Sequence, residues 1–203
     1  MNKASFGDFE YNLTALNAYL RKEFVEKFRT LFIFFVIMLF PGLGPKILGT
    51  FFIIVFSMGS DIRSKKLDMM TFLPFSKEMI YWYEFIFVLL LVVLSFFIGL
   101  PFVNGTLLEA FSDLLGAIIF AAAYYGLVMI VSMLGMDPIG GAFLILILDS
   151  IFSSFGTTQL SESFNPYKLI SPIAQENQLA ALIFAVICLY IGSVMFSKRG
   201  GEK

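Results

Sequence analysis

The chain has 203 residues, of which 59% are hydrophobic and only 14% charged, against about 45–50% apolar and about 25% charged in ordinary soluble domains. Mean hydropathy is +0.87 and formal net charge is -1. Six helical crossings of a hydrocarbon core about 30 Å thick would use about 120 residues, so the composition is that of a polytopic membrane protein. With no His and one Cys, the chain lacks imidazole acid–base chemistry, a Cys/His metal cluster and an internal disulfide. No catalytic residue, metal ligand or nucleic-acid contact is expected.

The first 30 residues include Asp8, Glu10, Glu23 and Glu26 without an early apolar run, so no cleaved leader is expected. Within residues 9–29, Leu13, Leu16, Leu20, Phe24 and Phe28 recur at helical spacing while Arg21, Lys22, Glu23, Glu26 and Lys27 fall elsewhere. This pattern predicts an amphipathic elbow helix lying at the interface, or one packed on a soluble partner. Two short apolar runs follow, 30–43 and 47–60, separated by Pro41-Gly42-Leu43-Gly44-Pro45-Lys46, which forbids one continuous helix. Fourteen helical residues reach only about 21 Å. The pair is therefore either two spans extended by flanking residues or a re-entrant hairpin.

The longest apolar run, 79–103, opens with Tyr81-Trp82-Tyr83, an aromatic cluster of the kind found at headgroup level. Runs 114–134, 139–155 and 179–196 complete six predicted spans, with Pro138 suited to the first turn of the fifth. An outer segment, 156–177, separates the last two, and a basic tail occupies 198–203. Placing both termini and the loops 61–78 and 135–138 in the cytoplasm puts twelve of the 14 basic residues there and leaves Lys46 and Lys168 outside. That bias sets the orientation. The expected fold is thus an all-α integral membrane protein: segment 1–29 with its elbow, a six-helix domain 30–197, and the tail.

No Gly-Lys-Ser or Gly-Lys-Thr is present, so the phosphate-cradling loop of P-loop ATPases is missing from this sequence. Loop 61–78 carries the most information. Residues 66–73 are predicted to form about two helical turns with Leu67, Met69, Met70, Phe72 and Leu73 apolar, ended by Pro74. Ser76 is a good N-cap for the next helix and Glu78 suits its first turn. The result is a short apolar helix between charged flanks, either a docking element for a soluble partner or an ordinary interfacial loop.

The run Asp61-x-Arg63, then Leu67, then Leu73-Pro74-Phe75-Ser76-Lys77-x-x-Ile80 resembles the first cytoplasmic loop of permeases of ATP-binding cassette (ABC) transporters of the type 2 exporter class. Lys65-Lys66 stands where Gly-Thr is common in that pattern, and Glu84 where a basic residue often begins the third span. The resemblance implies a multi-pass transmembrane subunit without its own ATPase, acting as a homodimeric pair in a prokaryotic plasma membrane. Each copy would dock a separate ATP-binding subunit, which carries ATP and Mg, through Asp61, Arg63, Lys65, Lys66, Leu67, Met70, Phe72, Leu73, Pro74, Phe75, Ser76 and Lys77. Export of a hydrophobic or amphipathic substrate is the activity it implies. The alternatives are a non-catalytic scaffold or channel-like subunit, or an intramembrane lipid-modifying enzyme.

Asp149 is the ionisable residue deepest in a predicted span, with Ser150 and Ser153 nearby. A charge at a helix centre costs about 2.5–3.5 kcal/mol on insertion scales, so Asp149 either lines a pathway with those serines or bonds to a hydroxyl such as Tyr124 or Tyr125. Ala117, Ala121, Ala122 and Gly126 give the fourth span a small-residue face suited to close helix packing.

Overall fold

A computed structural model describes residues 3–64, 76–103, 105–160 and 163–199, with backbone only for 3–13 and 15. The described residues are helical throughout apart from turns and one isolated bridge between Thr157 and Phe164. In chain order the helices are α1 (Lys3–Met38), α2 (Leu43–Arg63), α3 (Lys77–Gly99), α4 (Leu107–Met133), α5 (Pro138–Ser154), the short α6 (Tyr167–Ile170) and α7 (Gln178–Arg199). Four segments are long and apolar enough to cross a membrane: Leu43–Arg63, Lys77–Phe102, Leu107–Met133 and Gln178–Lys198. The protein is therefore an all-helical, multi-pass membrane protein. Helix α5 is equally apolar but shorter, with 17 residues.

Local chemistry sets the helix boundaries. Ser76 accepts a hydrogen bond from the Met79 amide at 3.1 Å, as its sequence position predicts. Thr106 and Glu109 form a reciprocal capping box at α4. Asp137 caps α5 through the Gly140 amide at 2.7 Å, with Pro138 in the first turn. Asn177 accepts from the Leu179 and Ala180 amides, both at 3.1 Å, to start α7.

The N-terminal third differs from its sequence-based expectation. Elbow and first apolar run form one 36-residue helix without a break at residue 29, because no glycine or proline interrupts residues 8–40. Its buried face is Tyr19, Glu23, Lys27, Leu31 and Met38, while Phe24, Phe28 and Phe32 of the apolar stripe are exposed. Two of the charges, Glu23 and Lys27, thus face the bundle, whereas Arg21, Glu26 and the phenylalanines face outward. The break lies at residues 39–42, where Gly42 takes a φ of 97° that an L side chain resists. Pro45 sits within the first turn of α2 instead of ending a helix. Helix α2 also runs further than the predicted 47–60, through a π-helical stretch at Val55–Gly59.

Helices α1 and α3 run side by side in the same direction. Near their starts Leu16 and Tyr19 pack with Met79, Ile80 and Tyr83. Near their ends a Cβ built on Gly99 would lie 3.0 Å from the Leu39 carbonyl oxygen. The turn after α1 therefore lies level with the far end of α3, a helix long enough to span. The Tyr81-Trp82-Tyr83 cluster also departs from expectation, because Tyr81 and Tyr83 are buried in protein. The Tyr81 hydroxyl donates to the Leu189 carbonyl at 2.7 Å, and Tyr125 donates to the Tyr81 carbonyl at 2.7 Å.

Helix α4 is the central element, with Ala117, Ala121, Tyr124, Tyr125, Val128 and Met129 fully buried. Its small-residue face is used within the chain. A Cβ on Gly126 would fall 2.5 Å from the Cys188 carbonyl group, so α4 and α7 meet backbone to backbone. Gly192 of α7 approaches the same point, where a Cβ built on it would lie 3.0 Å from the Gly126 carbonyl oxygen. Gly126→Ala is accordingly expected to destabilise the fold by about 1–3 kcal/mol, read as a lower thermal midpoint in detergent. Gly44→Ala, whose Cβ meets nothing within 4 Å, should stay near wild type.

Candidate functional site

At the end of the bundle where α2 stops and α3 starts, the ammonium of Lys27 is buried among three carboxylates from three helices. It donates to Asp61 Oδ2 at 2.6 Å and Ser57 Oγ at 3.0 Å, pairs with Glu23 one turn earlier on α1, and lies 3.7 Å from Glu84 Oε1. Glu84 is held in turn by Tyr19, whose hydroxyl donates to Oε2 at 2.6 Å, and by the Ser57 hydroxyl, which donates to Oε1. Lys22 closes the rim, 3.1 Å from Glu23 Oε1 and 3.6 Å from Glu26.

The backbone explains the convergence. Glu23 and Lys27 are four residues apart on one helix, which places them on one face. The π-helical stretch of α2 carries Ser57, and one turn later Asp61 lies on the same side. Glu84 arrives from α3 two turns after its cap. Each charged member is at most 8% exposed. At that burial the desolvation cost of each ion is met only if every charge keeps its partners.

This cluster contains the acidic residue of the Asp61-x-Arg63 motif. Asp61 is buried against Lys27, whereas Arg63 lies at the surface, its Nε 3.7 Å from Asp137 Oδ1 with side chains 65% and 49% exposed. The two residues thus tie the end of α2 to different neighbours, Asp61 to α1 and Arg63 to the start of α5. Ser76 and Lys77 begin α3. Lys65, Lys66, Leu67, Met70, Phe72, Leu73, Pro74 and Phe75, with the helix predicted over 66–73, lie outside the described residues.

Asp149 stands apart at the opposite end and is fully engaged by hydroxyls. Tyr124 donates to Oδ2 at 2.9 Å, while Tyr167 and Ser171 donate to Oδ1 at 2.8 and 2.6 Å. Burial, and the Asp149 carboxylate beside it, push the Tyr167 hydroxyl above its ordinary range, which keeps it a donor. The carboxylate therefore pins the outer segment onto α4 and α5. Asn165 adds to this by donating to the Phe152 and Phe155 carbonyls, both at 2.7 Å. Gln175 donates to the Gly116 carbonyl at 2.8 Å. The neighbours Ser150 and Ser153 donate to backbone carbonyls of their own helix, Ser150 to Leu146 and Ser153 to Ser150. Asp149 meets Tyr124, one of the two hydroxyls its sequence position suggested, and Tyr125 bonds elsewhere.

Glu84, noted in the sequence only for standing where a basic residue often begins the third span, finds Lys27, Tyr19 and Ser57. Glu23, Lys27, Tyr19 and Ser57 were not singled out by sequence. A usable signal was the i, i+4 acid–base pair Glu23/Lys27 opposite an apolar stripe. Among the described residues no group of His, Cys, Asp or Glu could hold a metal ion. No family model, curated protein or solved structure matches the chain.

Removing the central cation leaves three buried carboxylates facing one another. Lys27→Met is expected to cost about 3–5 kcal/mol in denaturant or thermal titration of the detergent-solubilised protein. Lys22→Met, at the exposed rim, should cost about 0–1 kcal/mol. At the other end, Asp149→Ala strands the Tyr124, Tyr167 and Ser171 hydroxyls, and limited proteolysis should show faster cleavage within 156–177.

Proposed function

We propose that this chain is the transmembrane permease subunit of an ABC transporter, a six-crossing protein with both termini in the cytoplasm. It works as a pair and is energised by a separate ATP-binding subunit docked on loop 61–78. The observation that carries the proposal is the anchoring of the loop's entry. Asp61, the acidic member of the resembled motif, is clamped to α1 by Lys27 at 2.6 Å. Lys27 also reaches Glu84 of α3, 3.7 Å away. A load applied to the loop thus passes at once to α1, α2 and α3.

The magnitudes favour a lever over a passive loop. The buried clasp at α1, α2 and α3 is worth several kcal/mol against disruption. The exposed Arg63–Asp137 contact to α5 is worth about 0–1 kcal/mol. A docked motor would move the ends of the first three helices together, and the Tyr81 hydrogen bonds would carry that movement on to α4 and α7. Helix α1, followed from Leu16 to Leu39 along α3, supplies the first crossing, and α5 the short fifth. Export of a hydrophobic or amphipathic substrate suits the largely apolar faces, and the cell membrane is the expected location.

The test is co-expression with the P-loop ATPase of an adjacent reading frame, followed by isolation of the complex. Wild type should co-purify with that ATPase, and substitution of Leu67, Met70, Phe72 and Leu73 by polar residues should release it. Asp61→Asn, which keeps the loop but loosens the clasp, should retain the partner and lower substrate-dependent ATPase activity. Undiminished binding by the polar quadruple variant overturns the docking role. Absence of ATP-dependent flux with any partner favours a scaffold or channel-like subunit. Asp149 has its own readout: if it also serves the pathway, Asp149→Asn reduces transport with assembly intact, whereas normal transport with lost assembly marks it as structural.

A further inference from the structure

Between α1 and α3 runs a groove lined by Phe24, Phe28 and Phe32 on one side and Phe87, Leu91 and Leu94 on the other, with Phe35 toward its far end. Its walls are almost wholly apolar. From Phe24 to Phe35 is eleven helical steps, about 17 Å. Half of a hydrocarbon core about 30 Å thick is about 15 Å. The groove therefore has the depth of a single leaflet and stops there.

The groove's end nearer the start of α1 meets a charge. Arg21 lies three residues before Phe24 and seven before Phe28, one turn beyond the last phenylalanine, where it lines an adjoining surface hollow with Asn17, Val25 and Glu26. It is exposed. The nearby carboxylates are already taken, Glu23 by Lys22 and Lys27 and Glu26 by Lys22. Arg21 itself has no ion pair among the described residues. A guanidinium held at the mouth of an apolar channel one leaflet deep matches a phosphodiester headgroup carrying an acyl chain.

We propose that the α1–α3 groove binds one anionic phospholipid of the leaflet at this end of the bundle, its acyl chain lying along Phe24, Phe28 and Leu91 and its phosphate on Arg21. The proposal rests on the permease orientation only for calling that leaflet cytoplasmic. The bound lipid would fill the seam between α1 and α3 beside the Lys27 clasp, so headgroup chemistry would bear on how firmly those two helices move together.

Native mass spectrometry of the purified chain alone, reconstituted with equimolar phosphatidylglycerol and phosphatidylcholine, tests this without any ATPase, so a failure of the permease proposal does not affect the result. Wild type should retain one phosphatidylglycerol in about fivefold preference to phosphatidylcholine, the scale expected for one cation at the membrane surface. Arg21→Gln should bring the two lipids near parity at an unchanged thermal midpoint. Phe32→Trp combined with Leu94→Trp, which fills the groove, should abolish retention of both. Equal retention of the two lipids by wild type, or an undiminished preference in Arg21→Gln, overturns the assignment. So does quantitative disulfide dimerisation of Phe28→Cys in lipid excess, which would show a second copy covering the groove.

Discussion

The arrangement of this protein depends on one ammonium group. Lys27 is the buried cation among three buried carboxylates contributed by α1, α2 and α3, with Lys22 reaching Glu23 from the rim, and each of those carboxylates would be intolerable there alone. The constraint is mutual. α1 must face inward with its charged stripe, α2 must bring both Ser57 and Asp61 to one side, and α3 must enter far enough for Glu84 to be reached. Once these are met, the phenylalanines of α1 have nowhere to go but outward, where lipid accepts them.

The bundle then divides into two mechanically different halves. One is held by ions and hydroxyls at the end where α2 stops. The other, α4 with α7, is held by backbone contact at Gly126 and Gly192, while the Tyr81 and Tyr125 hydroxyls, on main-chain carbonyls, tie α3 to α7 and α4. Ion clusters carry large penalties for partial disruption, whereas a small-residue seam loses packing gradually. A protein that transmits force through a surface loop benefits from having the first kind beneath that loop and the second kind elsewhere.

Much of this was legible in the sequence. Apolar run length identified the helices, and the caps at Ser76 and Pro138 follow from local chemistry that tertiary contacts do not override. The small face of α4 was equally plain, and only its partner, α7, was not. In α1 the apolar stripe was legible, but its continuity through residue 29 and the burial of Glu23 and Lys27 were not. Periodicity reveals that a helix has two faces but not what each one meets. The buried charge cluster escaped notice because its members are spread from residue 19 to residue 84, and no spacing rule joins three helices. Asp149 was visible from its isolation in an apolar run. Of its three hydroxyl donors Tyr124 was anticipated, whereas Tyr167 and Ser171, which lie within 156–177, were not.

The hydrogen bond from the Tyr81 hydroxyl to the Leu189 carbonyl spans 108 residues of chain. During synthesis α3 is made long before α7 exists, and until then the Tyr81 hydroxyl and the Gly126 face of α4 lack their partners on α7. An unpaired hydroxyl in hydrocarbon is costly, so the growing chain must shelter these groups with water, lipid or a chaperone until α7 arrives. The last helix therefore acts as a closing element, and its insertion is the step at which a loose set of helices becomes a single packed body.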